Sequence, residues 1–305
     1  MIAVRQSKSD RAFGAVNALL IALLLVLMVY PIYFTIIASF SDPYAVVNGE
    51  VYLWVKDFSL DAYKAAFSET RIWTGYRNSI YYTVAGVALS LAITIPGAYV
   101  LSKKELPGRG ILATFFIIPM YFGGGLIPTY LIVKNLGLLN TRHTLVILTS
   151  LNIYNMIVAR VYFQTSIPEA LYESARIDGA SDLRMFFTIA IPLAVPIIAV
   201  VALFYAVARW NDYYTALIYV SSDRYYPLQM MLRSILLSYE QGFSMSSDAT
   251  RGLSAEEIAW LSKKQYIAQA MKYALIFIAS APLLILYPFV QKYFIKGMMI
   301  GSLKG

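Results

Sequence analysis

Six windows of mostly apolar residues recur along the chain, at about 15–40, 78–101, 111–133, 143–163, 187–205 and 273–294. A helix needs about 20 such residues to cross the hydrocarbon core of a bilayer. Lipid offers no hydrogen bonds to an open backbone, so spans of this length have to be helical. The expectation is an all-α membrane protein with six transmembrane helices, residues 1–305 forming one membrane domain. Composition agrees, because 59% hydrophobic against 14% charged residues is more apolar surface than a soluble domain of this size can hide.

Arg5, Lys8 and Arg11 precede the first window, as in a secretory signal. The window is much longer than the roughly 7 to 15 apolar residues of a signal core, so it reads as an uncleaved first span. An even number of spans returns both termini to one side. The short segments 1–14, 102–110 and 160–185 and the C-terminal tail are together clearly basic, whereas the long loops 41–77 and 221–272 are nearly neutral. The positive-inside rule therefore makes the basic set cytoplasmic and the two long loops outer.

Several function classes fall away. The net charge of +8 is scattered rather than clustered among exposed aromatics, which argues against nucleic acid. There is no cysteine for disulfides or thiolate sites, and the single His143 reads as a polar residue at a helix entrance. An enzyme within the membrane would want paired carboxylates or a nucleophile dyad at depth, and none is visible. A stand-alone secondary transporter is the alternative, but the six windows lack Asp and Glu in their cores and no repeat relates the halves.

Helix breakers fall inside the windows, at Pro96-Gly97, at Pro119 and Pro128 around Gly123-Gly124-Gly125, and at Pro192 and Pro196. Such residues are tolerated at membrane depth where neighbours or a water-filled route satisfy the freed backbone groups. Kinks around a pathway and kinks used for packing both fit.

The 160–185 loop holds Ser166-Ile-Pro-Glu-Ala-Leu-Tyr-Glu-Ser-Ala-Arg-Ile-Asp-Gly-Ala-Ser181. Ser166 with Glu169 has capping-box spacing, and Pro168 suits a first turn. Gly179 is a natural left-handed stop, and Ser181 or Asp182 can cap the next helix. Between them about three turns place Ala170, Leu171, Ser174, Ala175 and Asp178 on one small-residue side. Such a face suits docking into a partner, and a helix lying on the lipid surface is the other reading.

Glu169-Ala170, Asp178-Gly179-Ala180, Phe186 or Phe187, Ile191-Pro192-Leu193 and Pro196 resemble the EAA motif of ABC importer permeases. Asn140-Thr141, Trp210-Asn211, Tyr226-Pro227-Leu228-Gln229 and the closing segment from Gln291 extend the likeness over almost the whole chain. It is similar to carbohydrate-import permeases of the maltose-permease class, in the branch for complex or uronic-acid-containing oligosaccharides. Tyr172 departs from the small residue usual near that position, a change that could adjust which ATPase fits.

The resemblance implies a type I permease fold in a prokaryotic cell membrane, with a coupling helix between spans 4 and 5. Glu169, Ala170, Glu173, Ala175, Asp178, Gly179 and Ala180 would contact the ATPase. It also implies a second homologous permease subunit, two copies of a cytoplasmic ATPase carrying ATP and Mg, and an extracytoplasmic sugar-binding protein. This chain has no Gly-Lys dipeptide and hence no phosphate loop of the G-x-x-x-x-G-K-[ST] kind, so no cofactor is expected on it.

For a substrate route, Arg209, Asn211 and Asp212 stand at the end of the fifth window, and Tyr121, Gly124 and Tyr130 around the glycine run. Arg209 and Asp212, three apart, could instead pair on one helix face. The tyrosines could equally belong to interfacial belts. The segment after Tyr226, with Met230, Met231, Leu232, Ile235, Leu236 and Leu237, predicts an apolar helix along the outer boundary or a platform for a soluble partner.

Overall fold

A computed structural model describes residues 8–249 and 254–302, and all regular structure among them is helical. In chain order the helices are α1 (Lys8–Ser39), α2 (Pro43–Val47), α3 (Asp61–Ser68), α4 (Thr70–Ser102), α5 (Arg109–Tyr121), α6 (Leu126–Asn135), α7 (Arg142–Ile147) and α8 (Ile153–Thr165). They continue with α9 (Glu169–Ile177), α10 (Asp182–Met185), α11 (Ile191–Leu193), α12 (Val195–Trp210), α13 (Tyr214–Tyr219), α14 (Leu228–Ala249) and α15 (Ala255–Ser302). A π-helical turn, Phe186–Ala190, joins α10 to α11.

Three stretches, Ser9–Ser39, Thr70–Ser102 and Ser262–Leu286, are long and apolar enough to cross a membrane. The expected third and fifth spans are bent at their helix breakers. Arg109–Tyr121 and Leu126–Asn135 meet at 113°, and Asp182–Leu193 and Val195–Trp210 at 77°. The first bend falls on the glycine run, where Gly125 has φ +83° and ψ 173°, a region open to glycine alone. The second falls at Ala194, between Pro192 and Pro196. The window 143–163 resolves into α7 and α8, parted at residues 148–152, where the Asn152 side chain accepts the Asn155 N–H and starts α8 afresh.

The chain divides into two units, one from the N-terminal side to Glu69 with Leu236–Ser280, the other Thr70–Ile235 with the chain from Ala281. In the first, the expected loop after α1 folds on itself: Asp42 caps α2 by accepting the Tyr44 and Ala45 N–H groups, and Phe40 stacks on Phe58. Its core joins Ile37, Ala38, Val46 and Ala62 to Ala270 and Ala274. Most of α1 is exposed and apolar all round, as suits lipid or another chain.

In the second unit α4 is the central helix and packs chiefly on α12 and α8. Tyr82, Gly86, Ser90, Thr94 and Ala98 form a buried stripe at four-residue spacing on α4. On α12 the matching stripe is Ile197, Val201, Tyr205 and Arg209. Four-residue ridges on two helices interdigitate, and small residues on one let the backbones approach. Here Thr94 meets Tyr205 and Ser90 meets Arg209, so the helices run antiparallel.

The N-terminal part of α4 holds the start of α14. Asn78 Nδ2 donates to the Arg224 and Tyr226 carbonyls, and Ser79 Oγ accepts the Leu228 N–H. Leu228, Met230, Met231, Leu232 and Ile235 are buried within the protein. The chain's own packing covers this part of the expected apolar face, while Leu237 stays exposed. Asn140, at φ +57°, uses its Oδ1 to accept the Ser221 and Ser222 N–H groups. The Asn-Thr and Tyr-Pro-Leu-Gln segments are thereby fasteners of the fold.

Candidate functional site

α9 begins at Glu169 with Pro168 as its cap residue, and the cap makes no side-chain hydrogen bond. Ser166 ends α8, its N–H bonded to the Tyr162 carbonyl, so the expected Ser166–Glu169 capping box does not form. Proline wins because the residue before it is pushed out of helical geometry. The far end matches expectation. Gly179, at φ +75°, donates to the Arg176 carbonyl, and Ala180 donates to the Ala175 carbonyl at 2.9 Å. This pair of bonds is a Schellman motif, and the residues its longer bond joins, Ala175 and Ala180, both pack against the core. Ser181 then caps α10, its Oγ accepting the Arg184 N–H.

The seven residues expected to contact an ATPase therefore divide. Glu169, Ala170, Glu173, Asp178 and Gly179 are exposed, whereas Ala175 and Ala180 are half-buried and close the turn. Tyr172 is 3% exposed, so it is not a surface residue tuning a partner. It enters the cluster of Tyr99, Phe163, Met185 and Phe186 and anchors α9 to α4, α8 and the π-helical turn.

Around that anchor lies a cleft of about 280 Å³ lined by Tyr99, Lys103, Glu105, Arg176 and Asp182. The Lys103 Nζ sits 3.0 Å above the Tyr172 ring centre and 4.8 Å from that of Tyr99. Burial holds its ammonium below the usual lysine range, with the Glu169 charge acting in opposition. Arg176 on α9 donates two parallel hydrogen bonds to Glu105, at 2.7 and 2.5 Å. That hydrogen bond holds the Glu105 carboxyl below the usual range. A depressed carboxyl pKa means the tie is intact above the ordinary carboxylate value and is lost only as pH falls through the depressed one. α9 is thus tied to the α4–α5 loop on one side and rooted in the core on the other.

The Tyr172 hydroxyl is buried with no hydrogen-bond partner among the described residues. Tyr172→Phe is expected to leave the thermal unfolding midpoint of the detergent-solubilised protein unchanged or raised, because it removes an unsatisfied polar atom. Tyr172→Ala, which empties the anchor, is expected to cost about 3 kcal/mol. Equal losses in both variants would contradict this role for the ring.

The residues expected along a substrate route are not gathered in one place. Arg209 is 6% exposed, so it is a buried group and not a wall of an open route. Its Nη1 donates to the Leu145 carbonyl and its Nη2 to Ser90 Oγ and the Val146 and Thr149 carbonyls, all at 3.1 Å. Asp212, just before α13, instead accepts the Thr215 N–H with its Oδ1, so the expected Arg209–Asp212 pair is replaced by two separate roles. Asn211 is exposed and donates to the Val207 carbonyl. The Tyr121 ring stands 77% exposed beside the Gly124 bend, and Tyr130 stacks on Tyr219 at 6.0 Å. The sequence reading missed Gly86, Ser90 and Thr94, whose four-residue spacing on α4 was the available signal, and Tyr205, which shares that spacing with Val201 and Arg209 on α12.

An all-helical chain with broken apolar helices, and with a short exposed helix rooted in their core, is built as a membrane transport subunit. Residues 71–300 match the family described as binding-protein-dependent transport system inner membrane component, and the chain belongs to it as a permease subunit of an ABC importer. Among its relatives is the protein LplC of Bacillus subtilis (strain 168), 38% identical over 302 residues, which are 99% of this chain and 98% of that protein. Another, from the same organism, is the polygalacturonan/rhamnogalacturonan transport system permease protein YtcP, 39% identical over 277 residues, or 91% and 93% of the two chains. A similar solved structure is a bacterial ABC transporter involved in the import of the acidic polysaccharide alginate. Its matching chain has a TM-score of 0.84 and 35% identity, with 96% of this chain and 100% of that one covered.

Proposed function

We propose that this permease imports oligosaccharides containing uronic acids, and that α9 couples it to a separate ATPase. The observation that carries the coupling is the construction of α9. Its exposed residues include Glu169, Ala170, Glu173 and Asp178, while Tyr172, Ala175 and Ala180 pack against the core. A helix that floats on lipid would not be tied at both sides in this way.

The cargo is supported by the relatives, one named for polygalacturonan and rhamnogalacturonan and one solved for alginate, all polymers with acidic sugars. The full assembly would hold six spans from this chain with both termini cytoplasmic, a second homologous permease, two ATPase copies with ATP and Mg, and an extracytoplasmic binding protein. Closure of the ATPases would draw the two coupling helices together and rock the spans between inward- and outward-open states. Tyr121, Gly124, Tyr130 and Asn211 remain the candidates for the route, Arg209 having another task.

The test is reconstitution of the complete complex in vesicles with a panel of neutral and uronate-containing oligosaccharides. Stimulated ATP hydrolysis and uptake are expected with the acidic sugars. Uptake that persists without the ATPase would support the secondary-transporter alternative, and stimulation by neutral sugars alone would overturn the cargo. Tyr121→Ala and Asn211→Ala are expected to impair uptake while the complex still assembles, and unchanged uptake kinetics would remove that residue from the route.

A further inference from the structure

The parting of α7 from α8 leaves backbone groups without helical partners, and two side chains one turn apart on α12 reach them. Tyr205 Oη accepts the Asn152 N–H at 3.0 Å and shares a 2.7 Å hydrogen bond with Thr94 Oγ1. Arg209 binds the carbonyls of Leu145, Val146 and Thr149. Gly86 makes room for the guanidinium, since a Cβ there would overlap it. Charged groups in membrane spans are costly and persist where carbonyls or other partners hold them. Both terminal nitrogens of Arg209 are engaged by these carbonyls and by Ser90 Oγ, and its buried Nε has no hydrogen-bond partner among the described residues.

The same α12 continues downward into the core that anchors α9. Tyr172, Phe186, Ala194, Ile197, Val201 and Tyr205 belong to one contiguous buried cluster. The geometry points to Tyr205 and Arg209 as positioning residues that strap the 148–152 break to α12, so that a displacement of α9 moves the break with it. The break is then the part of this subunit that rearranges when ATP acts. The inference rests on the proposed coupling through α9.

The chain has no cysteine, so Ser150→Cys places a single reporter on the break. The experiment uses the complete complex carrying this substitution and measures the labelling rate by a membrane-impermeant thiol reagent, at rest and trapped with ATP and vanadate. A rate ratio of about tenfold is expected, within the ordinary range of coupling between distant sites. Arg209→Lys keeps the charge but not the fork that spans three carbonyls, and is expected to bring the ratio to about one while ATP is still hydrolysed. If that variant does not assemble, Tyr205→Phe, which removes only the hydroxyl, is expected to lower the ratio in the same direction.

A ratio unchanged in either assembled variant overturns the strap, as does a ratio of one in a Ser150→Cys complex that imports sugar. Failure of the coupling reading has a different signature, namely a complex without substitutions whose uptake does not depend on ATP. A merely structural role would lower the amount of complex without altering the ratio in what assembles, and that outcome also counts against the proposal.

Discussion

Gly179→Pro is expected to leave the chain in the membrane and to abolish sugar-stimulated ATP hydrolysis. Gly179 sits at φ +75° and gives its N–H to the Arg176 carbonyl. The proline ring fixes φ near −65° and removes that N–H, so the Schellman turn cannot close. A cost of about 3 kcal/mol corresponds to a fall of about a hundredfold in the population of correctly ended α9. Among the described residues, nothing beyond its chain neighbours lies within 4 Å of a Cβ built on Gly179, so substitutions there report backbone conformation and not crowding. Asparagine, which tolerates the left-handed region, should stay close to the parent, and alanine should lose about tenfold. The measurement is ATPase stimulation in reconstituted complexes, with surface labelling to verify insertion. If proline, alanine and asparagine behave alike, the turn does not set the position of α9 and the coupling assignment fails.

The helical class and the C-terminal end of α9 could be read from the chain because they rest on local rules. Apolar window length marked α1, α4 and α15, and Gly179 and Ser181 act where turn and cap chemistry put them. Ser166 misled because two local rules competed, and the restriction imposed by Pro168 overrode the capping box. The kinks of the third and fifth spans were legible in position but not in size. Gly123 to Gly125 and Pro192 with Pro196 announce a break, but not whether it bends the helix by 20° or by the 113° and 77° observed.

Arg209 was out of reach for a different reason. Its neighbour at three residues offered an obvious ion pair, while its true acceptors, Leu145, Val146 and Thr149, are carbonyls more than 50 residues away and carry no sequence signal. Nor could the burial of Tyr172 be seen in a helix whose neighbouring positions, Leu171 and Glu173, are exposed. What would have helped is the stripe of Gly86, Ser90 and Thr94, since small and polar residues at four-residue spacing on a membrane helix mark a close helix contact.

That stripe yields the second large effect. Gly86→Ala adds one methyl group, yet its Cβ would overlap the Arg209 guanidinium, held in place by the carbonyls of the break and by Ser90 Oγ. The guanidinium cannot yield without leaving those acceptors, and removing the partners of a buried charge costs about 3 to 5 kcal/mol. The expected result is a severe loss of assembled complex from the membrane, measured by quantitative recovery and thermal unfolding in detergent. Gly97→Ala is the control on the same helix. Its Cβ would approach only the Met156 sulfur, at 3.3 Å, the far part of a flexible side chain that can turn aside. The cause can be isolated by repeating Gly86→Ala in an Arg209→Met background. With no guanidinium to displace, the added methyl group should do much less harm, giving an interaction of about 2 kcal/mol between the two sites. Additive losses would mean that Gly86 is needed for general helix contact, and that the guanidinium is not what its missing side chain makes room for.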